Sequence, residues 1–183
     1  MPGNPFAELL TRIDRLERAL EGRSIEVPVW GDLVREDGAA SCAVRRSTGQ
    51  SINSGSLTAI SYDTELHDTA GMWASGNPTR LVAPVDGFYV VTASLGALAA
   101  QVTSAFRFGL YLRVSGSRII AAGGDPYTTS GADSIRAVAG GDWLTAGEYV
   151  EVLCFHVKGS ALTLTTTTAT AQHGNQARMV QVR

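Results

Sequence analysis

Lysine is nearly missing from this sequence: Lys158 is the only one among fifteen basic residues. Cysteine is as scarce, with Cys42 and Cys154 alone in 183 residues. Two thiols cannot build a disulfide framework or, unaided, a zinc site. They can form a single bridge or stay apart, and the expectation here is two buried free thiols. Charge is thin as well, at 17% of the chain with a net value of −2. That balance gives no reason to expect nucleic acid or an anionic membrane surface as a partner. No apolar run approaches the about twenty residues that span a bilayer, which argues against membrane insertion. The N-terminus lacks the basic-then-apolar order of a secretory signal. The one Asn-x-Thr triplet, Asn77-Pro78-Thr79, is spoiled as a glycan acceptor by its proline. The lysine bias hints at a GC-rich coding genome, which concerns source and not mechanism.

Helix is scarce too. Residues 4–22 alone read as one, with Asn4 as cap, Pro5 at the first helical position and Gly22 at the end. Phe6, Leu9, Ile13, Leu16 and Leu20 recur at spacings of three and four, the a/d seam of a coiled coil. Arg12 then falls at g and Glu17 at the following e, where parallel neighbours would pair them. Residues 1–22 are therefore expected to form a short oligomeric stem, too short to associate alone. Residues 23–41 read as an extended connector, in which Pro28 and Trp30 are apolar enough to dock on a neighbouring surface.

From residue 42 to 183 the pattern becomes short strands broken by Gly, Pro, Asn and Asp. Strands are expected near 42–46, 57–66, 80–83, 87–95, 106–115, 118–122, 134–139, 148–157, 161–171 and 177–182. The segment at their centre is Leu81–Val91, where Pro84, Asp86 and Gly87 make a turn into the apolar strand that starts at Phe88. Both alternating sets of that strand are largely apolar, so it is expected to be covered on both faces. Residues 106–114 put Phe106, Phe108, Leu110, Leu112 and Val114 on one face, as a half-buried strand should. Residues 149–157 are apolar on both sides. The spare set, Tyr149, Leu153, Phe155 and Val157, then needs a second cover, and a subunit interface is the natural one.

These residues together resemble the C1q/tumour-necrosis-factor jelly roll, in the variant found in bacteriophage virion proteins. The landmarks are Ile60-Ser61-Tyr62-Asp63, His67-Asp68, Trp73, the turn motif Pro84, Gly87, Phe88 and Tyr89, and Leu110–Val114 with its Ser115-Gly116 turn. Leu144–Val152 looks like the strand entry of the same family. The resemblance implies an all-β, ten-stranded antiparallel jelly-roll sandwich that associates as a homotrimer. It places aromatic residues of the penultimate central strands near the threefold axis, in agreement with the spare set above. Ile at a with Leu at d would by itself favour two strands, but a trimeric head overrides so short a seam. The collagen triplets and secretory signal of complement relatives are missing here, which turns the resemblance toward a virion protein assembled in a bacterial cytoplasm.

Catalytic constellations are the remaining absence. There is no Gly-x-Ser-x-Gly elbow, no Walker loop and no His-Glu-x-x-His. His67, His156 and His173 are scattered, and His156 is expected to be a satisfied histidine at the end of the barrel. Asp63, Glu65 and His67 would share one face of a regular strand, with Asp68 beside them. Oxygen ligands of that kind suit calcium, yet ordinary surface carboxylates are the expected reading of Asp63, Glu65 and Asp68. Asp125, Asp133 and Asp142 fall in expected loops, with nothing to pair them for glycoside cleavage. No cofactor is expected. The functional expectation is a non-enzymatic minor tail protein or short tail fibre, located in the virion. Its stem would bind other virion proteins and its head a host-envelope carbohydrate or protein, through loops near 73–77, 97–104 and 123–132. A capsid decoration protein or head fibre is the alternative, followed by a secreted C1q-like ligand.

Overall fold

A computed structural model describes residues 39–97, 99–123, 128–131, 134–164 and 175–182. The chain divides into residues 1–37 and 38–183, and the described residues belong to the second unit. The stem seam of Phe6, Leu9, Ile13, Leu16 and Leu20, and the connector up to residue 38, lie outside them.

Two five-stranded antiparallel sheets face each other. Sheet I runs β4 (Thr64–Asp68), β1 (Ser41–Arg45), β12 (Gln176–Val182), β6 (Gly87–Ala97), β9 (Ser134–Leu144). In sheet II, β3 (Thr58–Ala59) and β5 (Leu81–Val82) both pair with β10 (Tyr149–His156), which continues to β7 (Phe108–Val114) and β8 (Arg118–Gly123). Among the described residues only β7 and β8 are joined as a hairpin within a sheet. Its turn holds Ser115 at φ 46° and Gly116 at φ 75°, and Ser117 N–H donates to Val114 O at 3.0 Å. That is the left-handed pair of conformations whose twist suits two neighbouring strands. Elsewhere the chain crosses between the sheets, as in a jelly roll. A separate ribbon pairs β2 (Gln50–Ile52) with β11 (Leu162–Leu164); the rest of the strand expected at 161–171 lies outside the described residues.

Alternation of side chains builds the core. Tyr89, Val91, Ala93 and Leu95 of β6 meet Phe108, Leu110, Leu112 and Val114 of β7 and Val150, Val152 and Cys154 of β10 in one cluster. The strand expected at 57–66 is two. β3 belongs to sheet II and β4 to sheet I, and Ile60 and Tyr62 turn into the core as the chain passes between them. Period-two patterning hides such a crossing, because both residues still point inward.

β9 also differs, running on through Gly140 and Gly141 to Leu144 where a strand ending at residue 139 was expected. Those glycines serve close packing. A Cβ on Gly140 would stand 2.7 Å from Ala121 Cβ, and one on Gly141 would stand 2.8 Å from the Phe88 ring. Asp142, expected in a loop, therefore lies in β9, paired with Arg118 at 3.0 Å. Gly87 likewise does not have a positive φ; its missing side chain leaves room for Gln181, whose Nε2 would be 2.6 Å from a Cβ.

The two sequence motifs meet in space. Ala146 N–H donates to Asp86 Oδ1 at 2.8 Å, Gly147 N–H to Ala83 O at 2.9 Å, and Ala83 N–H to Glu148 O at 2.8 Å. Glu148 in turn accepts from Thr145 N–H and Oγ1. Tyr89 donates its hydroxyl to Val85 O at 2.8 Å. The turn of Pro84, Gly87, Phe88 and Tyr89 is thus a clamp at one end of the sandwich. Ala40 and Val182 lie at that same end, since Gln181 N–H donates to Ala40 O and Val182 pairs with Phe88.

Candidate interaction surface

The outward face of sheet I leaves several large apolar side chains open among the described residues. Register sets its rows across β12, β6 and β9. Val182, Phe88 and Trp143 form the first, and Val180, Val90 and Gly141 the second. Trp143 is 64% exposed, Val182 49% and Phe88 40%. Of the two faces of β6 that were expected to be covered, the described residues cover one, and Phe88 and Val90 point away from the core. Large apolar side chains clustered together on one sheet face, and not scattered singly, mark a surface that meets another molecule.

The interface expected on Tyr149, Leu153, Phe155 and Val157 is not available as a set. Leu153 is only 1% exposed, with Tyr111 of β7 on one side and Ala59 of β3 on the other. Tyr149 lies beneath the Arg80 guanidinium, 4.2 Å from its ring centre. Phe155 is half-buried, and Val157 alone is exposed. Beside β10 lie β3 and β5, and on this face Glu151 draws in two neighbours. Glu151 accepts from Arg113 at 2.8 Å and from Thr79 at 3.4 Å. A strand with two apolar sets cannot say from sequence whether a neighbouring strand or a second subunit covers it.

The acidic cluster separates into individual duties. Asp63 precedes β4 and holds the 47–48 turn: its Oδ1 accepts from Ser47 N–H and Oγ, and its Oδ2 from Thr48 N–H and Oγ1. Burial works against ionisation here, but these bonds and one from Thr64 outweigh it and hold the carboxyl well below the ordinary range. Asp68 accepts from Ala70 and Trp73 N–H groups and closes the next loop. Leu66 is an extra residue in the β4 register, a bulge that breaks the shared face expected for Glu65 and His67. Among the described residues no group of three or more His, Cys, Asp and Glu is arranged to hold a metal ion.

A carboxyl depressed in the folded state stabilises the fold above its ordinary pKa, and that contribution is lost as pH falls through the acid range. Asp63→Asn keeps the shape but presents an amide N–H to a ring of donors. At neutral pH it is expected to cost about 1–2 kcal/mol. Melting curves of both proteins should show the gap narrowing as pH falls below about pH 5, because acid removes the same interaction from the parent.

The remaining candidates are structural. His156 is buried, with its Nε2 3.0 Å from Ile52 O and its Nδ1 accepting from Lys158 N–H at 3.2 Å. Both ring nitrogens are engaged, as expected for a satisfied histidine. Cys42 and Cys154 are free and buried in the core, and burial pushes each thiol up to about 12. Thiols so far from ionised are poor nucleophiles.

The loops expected to carry binding fall on different parts of the sandwich. Residues 102–106 and 128–131 are joined: Thr128 N–H donates to Phe106 O, Gly131 N–H to Val102 O and Ser130 Oγ to Thr103 O. They lie beyond the Phe108 and Ser134 ends of β7 and β9, opposite the end that holds Ala40 and Val182. Residues 124–127 and 132 are outside the described residues. Residues 73–77 belong instead to the loop between β4 and β5, where Val82 N–H meets Met72 O and β5 pairs with Tyr149. Only two of the three loops can act together.

No protein-family model matches the chain. No curated protein matches it in sequence. Solved structures do resemble its fold. Murine APRIL crystallised at pH 8.0 superposes with a TM-score of 0.56 at 12% identity, covering 79% of this chain and 99% of that one. Murine APRIL at pH 5.0 gives 0.54 at 14% identity with the same coverage. The globular domain of zebrafish complement 1qA protein gives 0.45 at 12% identity, over 77% and 93% of the two chains. At such identities the likeness is one of fold: this chain carries the all-β antiparallel sandwich of the TNF/C1q type.

Proposed function

We propose that the chain is a bacteriophage virion structural protein, a homotrimeric minor tail protein or short tail fibre whose head touches the host envelope without catalysis. The observation that carries the reading is the exposed face of Phe88, Val90, Trp143 and Val182 on sheet I. Each such side chain taken from half-exposed to buried contributes on the order of 1 kcal/mol, and a second copy offers the same surface in equal number. The interface first expected on β10 is accordingly proposed on sheet I instead. TNF/C1q folds commonly trimerise, and the heptad seam of residues 6–20 suits a stem for three chains.

Adhesion is supported by polarity along the sandwich. The chain enters at the end with Ala40, and the joined loops at 102–106 and 128–131 occupy the opposite end. Loops on a rigid sandwich are where binding residues concentrate, and three copies multiply weak contacts. The scarcity of lysine and the heptads support a virion origin. Sedimentation of the full chain should give three times the subunit mass, and mass spectrometry of purified particles should find a few trimers at the tail. Hundreds of copies over the shell would make it a capsid decoration protein. Absence from particles would return the protein to a free ligand.

A further inference from the structure

The outward face of sheet I carries two guanidinium groups, and no acidic residue of its strands has its register position on that face. Below its apolar rows come His67, Ala43, Arg178, Thr92 and Ala139, and then Thr64, Arg45, Gln176, Ser94 and Ala137. Glu65 of β4 pairs with Val44, whose side chain points into the core, and Asp63, which accepts from Thr64 Oγ1 at 3.0 Å, is engaged in holding the 47–48 turn. Arg45 is opposite Gln176 and Arg178 is two residues further on, so the two arginines are diagonal neighbours, roughly 7–8 Å apart.

Among the described residues neither arginine is ion-paired with a carboxylate. The ion pairs among the described residues are Arg113–Glu151 and Arg118–Asp142, both elsewhere. Arg45 Nε is buried and makes no hydrogen bond. Arg178 borders a concavity of about 560 Å³, walled by Gln176, Thr92 and Ser94 and floored by Ala137 and Ala139. Two like charges set side by side repel, and a buried donor left unmade is costly. Guanidinium forks answer an oxyanion better than any other common group, because planar paired N–H bonds match its oxygens.

We propose that Arg45 and Arg178, with the Gln176 amide between them, bind a free oxyanion of the sulfate or phosphate kind. The site is complete within one subunit and does not rest on the trimer, although a trimer formed through sheet I would enclose the anion.

Calorimetry of the full chain with inorganic phosphate and with sulfate, against chloride at matched ionic strength, tests this. Saturable binding of one anion per subunit is expected, and Arg45→Gln and Arg178→Gln should each weaken it by about tenfold or more. Melting curves of both variants should match the parent in chloride, which separates lost binding from lost folding. Heats no larger than those of chloride would overturn the site, as would variants that bind as the parent does. An Arg178→Gln protein that falls apart into subunits, with no phosphate binding in the parent, would give the arginine to a neighbour's carboxylate and overturn the proposal too. Sedimentation alongside keeps the two readings apart: a single subunit that binds phosphate removes the trimer and keeps the site.

Discussion

Trp143→Asp is expected to convert the assembled protein into folded single subunits. Trp143 is 64% exposed within its own chain, so its side chain does little for the fold, and β9 tolerates a polar residue there. In the proposed trimer it enters the interface beside Phe88 and Val182. Truncating a central aromatic anchor costs about 2 kcal/mol or more, and a buried carboxylate adds to that. Three copies act at once, so the association constant should fall by about four orders of magnitude. Sedimentation would show the loss of mass, while far-ultraviolet dichroism stays that of a β-sandwich. Val90→Asp, one row further in, should do the same. Trimers that survive both substitutions would remove sheet I as the interface.

Gly123→Ala should have the largest effect on the fold itself. A Cβ at Gly123 would lie 2.1 Å from Ala137 O and 3.0 Å from Val138 Cβ. The obstruction is backbone, which cannot rotate away as a side-chain tip can. β8 and β9 close the sandwich at this edge, and they would have to separate. Such overpacking is expected to cost about 3 kcal/mol, equivalent to a fall in Tm of roughly 6–12 °C for a domain of this size. Gly76→Ala is the control: nothing stands within 4 Å of its Cβ, and the change should stay within about 0.5 kcal/mol. Equal melting temperatures for the two variants would mean that the edge is looser than its packing implies.

Both predictions fall where sequence patterns were hardest to interpret. Gly140 and Gly141 resemble a loop in sequence, and that hid the end of β9 and with it Trp143 as a partner of Phe88. The useful signal was the second apolar set of β6, whose Phe88 and Val90 are left exposed by the described residues. The same logic applied to β10 failed at Leu153, because β3 sits against it. The acidic run at 63–68 failed for another reason: one bulged residue, Leu66, shifts every later side chain.

What the sequence determined by itself is the fold class and the local chemistry of turns. Alternating apolar residues, the Pro84–Gly87 and Thr145–Gly147 turns and the scarcity of thiols and catalytic motifs need only near neighbours to be understood. The tertiary structure decided which apolar set each strand buries, that Asp63 and Asp68 organise loops, and that Arg45 and Arg178 share one face. Those outcomes depend on strand order and register. Both are fixed by pairings between residues as distant as Arg45 and Gln176, and period two along one strand carries no information about which strand lies beside it.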